Sequence, residues 1–113
     1  MPTRLHGRNI RKIVETGGLK HSETMSMGMA EFSTEIGPMT PHVHGEEGIY
    51  VVETENCYTR CGSSEHTLGE RRPVETGMFL LYEKGEWHVF EFEGKGHLKI
   101  VFFFATGDLK RPA

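Results

Sequence analysis

The chain has 113 residues, enough for one hydrophobic core and too few for two. Its 13 Lys and Arg against 16 Asp and Glu give a formal net charge of -3, spread along the sequence. With no basic stripe and no apolar run near the roughly 20 residues that cross a bilayer, neither a nucleic-acid nor a membrane partner is expected.

The first six residues, Met1 to His6, show no apolar core before a small-residue cleavage site, so no secretory signal is expected. Cys57 and Cys61 are the only cysteines. In one strand they would share a face but sit roughly 13 Å apart at ~3.3 Å per residue, too far to bridge. Reduced thiols and a cytoplasmic location are the corresponding expectations.

Residues 8–14 mix charge with Ile10, Ile13 and Val14 and run into Gly17-Gly18, which predicts a short leading strand within an N-terminal arm, 1–20. Residues 24–32 alternate, placing Met25, Met27 and Met29 on one face. That face is expected to point inward, its flexible thioethers filling gaps and walling a pocket. Gly37-Pro38-Met39-Thr40-Pro41 cannot continue a ladder and reads as a turn. An apolar run rich in β-formers follows to Glu53. Further strands are predicted over 56–61, 78–82, 87–92 and 97–104, with turns at 62–65, 83–86 and 94–96. Residues 66–73 read as a loop or exposed edge, and the polar tail 106–113 is expected to fray. There is no amphipathic helix of ten residues or more. Short strands with turn signals every 8–12 residues predict an all-β sandwich or barrel. The expected organisation is one domain with its barrel core over about 24–105.

The sharpest chemical signal is His42-Val43-His44, followed at once by Glu46 and Glu47. Residues two apart in a strand share a face, so both imidazoles would meet at one point while Val43 turns away. Two neutral imidazoles and a carboxylate form a site for a divalent transition metal. His88 supplies a second histidine signal, after a Gly-containing turn and at the head of a strand. His6, His21, His66 and His97 show no partner pattern and read as surface residues.

These two segments resemble the motifs of the cupins, a family of small double-stranded β-helix (jelly-roll) barrels. Gly37, four residues where the family has five, His42-x-His44, and two residues where the family has three or four before Glu47 resemble the first motif, with Thr54 where the family places a closing Gly. Gly77, five residues, Glu83-x-Gly85, two residues and His88 match the second, with Glu83 in place of its Pro and Phe92 in place of its Asn. The resemblance covers roughly residues 25–104. It implies a jelly-roll barrel and a site of three histidines and one glutamate, here His42, His44, Glu47 and His88. The gap after His44 is short, so Glu46 and Glu47 compete for the carboxylate position. Strand parity favours Glu47, which shares a face with Ile49 and Val51.

Such a donor set leaves one or two positions open and suits Fe, Mn, Ni, Co, Cu or Zn alike. With iron, the open positions favour dioxygenase-type chemistry; with zinc or manganese, isomerase or lyase chemistry at a carbonyl or enediol. Glu46 and His66 are weak candidates for a general base. Met25, Met27, Met29, Phe79, Phe90 and Phe102 are expected to line the pocket that receives a small-molecule substrate. The alternative is a non-catalytic ligand-binding or sensing module with a structural or vestigial metal site. Family habit, the leading strand and the Phe102-Phe103-Phe104 run, which cannot all face inward, predict a homodimer.

Overall fold

The computed structural model describes residues 3–5, 8–15 and 20–105, with side chains placed from residue 22 onward. The expected fraying of the tail 106–113 lies outside the described residues. Every regular element among the described residues is a strand: β1 (Thr3–Leu5), β2 (Arg8–Glu15), β3 (Lys20–His21), β4 (Ser26–Ser33), β5 (Glu47–Gly62), β6 (Arg72–Val74), β7 (Phe79–Tyr82) and β8 (Trp87–Phe104). They form one sheet in the order β1-β2-β4-β8-β5-β6, with β3 added to β2 and β7 to β5. All pairings are antiparallel except β2 with β3. No helix among the described residues is long and apolar enough to cross a membrane.

Two long strands carry the fold. The segments expected over 87–92 and 97–104 are one strand, and the run through Glu53 joins 56–61 as one strand. The apparent turn at Gly94-Lys95-Gly96 is a bulge within β8. Cys57 pairs with Phe92 while Glu55 pairs with His97, so four residues of β8 face Asn56 alone. Asn56 at φ 52° and Gly94 at φ 61° absorb the distortion. The Asn56 side-chain amide donates to the Lys95 carbonyl at 2.8 Å, and the Thr34 hydroxyl donates to the Gly94 carbonyl at 2.7 Å. Bulges bend strands, and here the bend folds the sheet over its own apolar face.

That face holds Ala30 and Phe32 of β4, Ile49, Val51 and Cys57 of β5, Tyr82 of β7, and Phe90, Leu98, Ile100, Phe102 and Phe104 of β8. The parity of β4 is the reverse of the sequence expectation: Ser26, Gly28, Ala30 and Phe32 point inward, Met27 and Met29 outward, and Met25 is exposed. The partner strand supplies the reason. Gly28 lies opposite Phe102, Ala30 opposite Ile100 and Phe32 opposite Leu98, and directly opposed residues share a face. Small residues on β4 make room for large ones on β8.

Phe79 is likewise displaced from the pocket. On β7, Leu80 and Tyr82 turn inward opposite Ile49 and Glu47, leaving Phe79 76% and Leu81 61% exposed. The outer face thus gathers Met27, Met29, Tyr50, Phe79, Leu81, Val101 and Phe103, with the Tyr50 and Phe79 rings 4.9 Å apart.

Candidate metal centre

The histidine pair is delivered by an extended lead-in to β5 rather than by the strand itself. His42 makes a single bridge to His88, with backbone hydrogen bonds of 3.0 and 2.9 Å in the two directions. The Gly85 amide donates to the His44 carbonyl at 3.2 Å, fixing the second histidine against the turn before β8. Alternation survives without a regular ladder: His42 and His44 are buried and Val43 is half-buried.

The three imidazoles converge. One ring nitrogen from each of His42, His44 and His88 lies within 4.8 Å of the others, and all three residues are buried. Ring centroids are 4.7 Å apart for His42 and His44, 4.3 Å for His42 and His88, and 5.6 Å for His44 and His88. Phe104 closes one side at 5.3 Å from His44.

Two hydrogen bonds set the tautomers. His42 Nδ1 lies 3.2 Å from the Thr40 carbonyl and His88 Nδ1 3.0 Å from the Glu86 carbonyl, in each case two residues back along the chain. A carbonyl oxygen only accepts, so Nδ1 carries the hydrogen and Nε2 presents its lone pair. A backbone carbonyl behind the ring is the usual orientation of a metal-ligating histidine.

Glu47 opens β5 beside this group, buried opposite Tyr82 and Phe104. Its Oε1 approaches His88 Nε2 to 3.2 Å, yet the two make no hydrogen bond. Two buried lone-pair atoms held this close oppose one another unless a cation lies between or beside them. The donors present therefore fit a divalent transition metal. Glu46, its competitor, is exposed. As parity predicts, Glu47, Ile49 and Val51 are buried together.

The remaining expected residues are dispersed. His66 sits in the exposed turn before Thr67, its side chain 87% exposed and 3.4 Å from Glu65. Neither it nor Glu46 reaches the interior, because both occupy outward positions. Phe90 and Phe102 line the small chamber next to the histidines, together with Ala30, Phe32 and Met39, whereas Met25, Met27, Met29 and Phe79 do not. Sequence reasoning missed Tyr82 and Met39. Nothing in the sequence marked either residue: the run around Tyr82 is apolar on both faces, and Met39 lies in a turn.

The architecture matches solved structures over the whole chain. The oxalate decarboxylase of Lactobacillus farciminis, in its formate complex, superposes with a TM-score of 0.75 at 14% identity, covering 100% of this chain and 33% of that one. The oxalate decarboxylase of Bacillus subtilis gives 0.75 at 15% identity, covering 100% of this chain and 29% of that one. The chain has the cupin fold. A third cupin structure, the hydroxypropylphosphonic acid epoxidase of S. wedmorenis, gives 0.64 at 14% identity over 91% of this chain and 53% of that one. The chain therefore spans about a third of the decarboxylase length and half of the epoxidase. No protein-family model matches the sequence, and no curated protein does.

Burial also tunes the groups around the cupin interior. The Tyr82 hydroxyl is pushed well above its ordinary value, mainly by burial, although Thr59 Oγ1 shares a hydrogen bond with it at 2.6 Å. Burial pushes the Cys57 thiol up to about 11. Cys61 is raised in the same way, with the Glu86 carboxylate adding to the effect. Cys57 belongs to the apolar core and Cys61 packs against it, and neither joins the group formed by His42, His44 and His88.

Proposed function

We propose that this cupin binds one divalent transition metal ion through His42, His44 and His88, with Glu47 as the fourth donor, and acts on a small oxygen-rich molecule. The carrying observation is the convergence of three buried imidazole nitrogens within 4.8 Å. The carbonyl hydrogen bonds that fix the His42 and His88 rings support it. So does the fold, since the Bacillus subtilis oxalate decarboxylase is described with Mn(II) centres.

When bound, such an ion supplies Lewis acidity and an open position for substrate or oxygen. The rest falls to this chain's own residues. The Thr40 and Glu86 carbonyls hold protons on Nδ1 of their histidines, keeping both Nε2 lone pairs available. Phe90, Phe102 and Phe104 exclude bulk water and lower the local dielectric, which strengthens charge interactions at the site. Dioxygenase-type and isomerase or lyase chemistry both remain readings of this donor set.

One observation favours a non-catalytic reading. Glu47 is the one buried carboxylate among the described residues, and as a ligand it leaves no interior base. A sensing or ligand-anchoring module would need none. Elemental analysis of protein purified without metal-affinity steps tests the metal proposal. About one equivalent of a single transition metal, lost in both His42→Ala and His88→Ala, is expected; metal indifferent to both substitutions overturns it. Turnover assays guided by the metal found then separate enzyme from sensor.

We also propose a homodimer through the outer apolar face that carries Phe79, Leu81 and Phe103. Soluble monomers rarely expose a contiguous apolar patch of this kind.

A further inference from the structure

The turn between β7 and β8 holds two of the three histidines directly and the third through them. Gly85 donates to the His44 carbonyl at 3.2 Å, and the Glu86 carbonyl accepts from His88 Nδ1 at 3.0 Å. His88 then exchanges both backbone hydrogen bonds with His42, at 2.9 and 3.0 Å. What fixes this turn therefore fixes the ligand set.

Two hydrogen bonds of opposite direction join residues 83 and 86. The Glu86 N–H donates to the Glu83 carbonyl at 3.0 Å, closing a four-residue turn in which Gly85, at φ 81°, takes the left-handed third position. In return the Glu83 N–H donates to Glu86 Oε1 at 2.9 Å. Glu86 is half-buried, whereas Glu83, Lys84 and Gly85 are exposed. The second bond answers a departure from the cupin motif. That motif carries Pro at position 83, and Pro has no N–H to satisfy. Glu83 has one, and the Glu86 carboxylate receives it.

The consequence reaches the site through one peptide unit. Without its side-chain acceptor the turn keeps a single hydrogen bond between residues 83 and 86, across a glycine with wide conformational freedom. The Glu86 carbonyl is then free to tilt, and with it go the direction and the tautomer of His88. Ligand sites tolerate displacements of only about 0.5 Å, so a small tilt matters.

We propose that Glu86 is a positioning residue of the metal centre: by accepting from the Glu83 N–H, its carboxylate locks the turn whose backbone sets His44 and the His88 ring. The positioning role rests on the metal site proposed above; the lock does not. The lock needs an acceptor and not a charge, so a glutamine at position 86 serves as well. It is needed only because position 83 carries an N–H.

The test is NMR of the metal-free protein followed by a zinc titration of the same samples. Glu86→Ala is expected to weaken zinc about fivefold, the scale of one hydrogen bond of ordinary net worth. Glu86→Gln is expected to bind zinc as wild type does. In a Glu83→Pro background, which lacks the N–H, Glu86→Ala is expected to cost less than about twofold. Before zinc is added, Glu86→Ala is expected to speed hydrogen exchange at the Gly85 amide and to mix the His88 tautomers, with exchange at Ile100 in the core unchanged. A merely loosened fold would move Ile100 as well. A Glu86→Ala affinity within twofold of wild type, an equal loss in Glu86→Gln, or an undiminished cost in the Glu83→Pro background overturns the proposal. Two failures stay distinct. Absence of zinc binding in wild type removes the metal reading and the positioning role with it, whereas unchanged Gly85 exchange and His88 tautomer in Glu86→Ala remove the lock alone.

Discussion

The Tyr82 ring lies flat on the His88 imidazole, with centroids 4.0 Å apart and planes 6° from parallel. With the Glu86 carbonyl on Nδ1, this stack fixes both the rotation and the position of the ring. The Tyr82 hydroxyl is tied to Thr59, whose own hydroxyl reaches the Val89 carbonyl at 3.1 Å, so β5, β7 and β8 are joined behind one ligand. Tyr82→Phe keeps the stack and loses one buried hydrogen bond, costing about 1 kcal/mol. It is expected to leave metal affinity within about threefold. Tyr82→Leu removes the stack and is expected to weaken metal binding at least tenfold, the usual scale for a residue that orients a ligand. Denaturant unfolding and metal titration of the two variants check this; equal affinities would show that the stack does not position His88.

Metal binding only to the folded chain must stabilise it. At a free concentration 100 times Kd the gain is about 2.7 kcal/mol, or about 10 °C in Tm for a domain of this size. Chelation is expected to lower Tm by that amount in wild type and by nothing in His42→Ala. Glu47→Gln is expected to reduce the difference, whereas Glu46→Gln, on the exposed side, leaves it unchanged. Scanning calorimetry with and without chelator distinguishes the two carboxylates.

Cys57 gives stability a defined alkaline limit. Its thiol rises from 9.0 to about 11 on folding, so the unfolded chain releases this proton first as pH increases. The contribution is fully present below pH 9 and is lost between about pH 9 and 11. Urea midpoints are expected to fall across that window in wild type and to fall less steeply in Cys57→Ala. In the native protein at pH 8, Cys57 is expected to resist alkylation, because it is both neutral and 3% exposed.

The proposed dimer makes the outer face its seam. Light scattering is expected to give twice the chain mass for wild type and the monomer mass for Leu81→Lys, with the metal content of the variant unchanged. Leu81 points away from the histidines, so metal loss in this variant would mean that the face and the site are not separable. A monomeric wild type would remove the proposal.

Much of the candidate site was legible in the sequence. The spacing of His42, His44 and His88 matched a known motif, and parity chose Glu47 over Glu46 because Ile49 and Val51 needed the same face. The methionines misled for a related reason. Residues 24–32 carry apolar side chains on both faces, Met25, Met27 and Met29 on one and Ala30 and Phe32 on the other, so alternation defined two faces without saying which was inner. Phe79 misled likewise, since residues 78–82 are apolar throughout.

The sequence by itself therefore determined the strand content, the barrel class and the residues able to ligate, because these depend on local periodicity and side-chain chemistry. Tertiary structure alone decided which face of β4 and β7 is buried, through the pairing of Gly28 and Ala30 with the bulk of Phe102 and Ile100. It alone showed that Gly94-Lys95-Gly96 bends a strand instead of ending it, since a bulge and a turn have the same composition. It alone stacked Tyr82 on His88 and brought Met39 to the chamber that Phe90 lines, arrangements that exist only once the sheet has folded over itself.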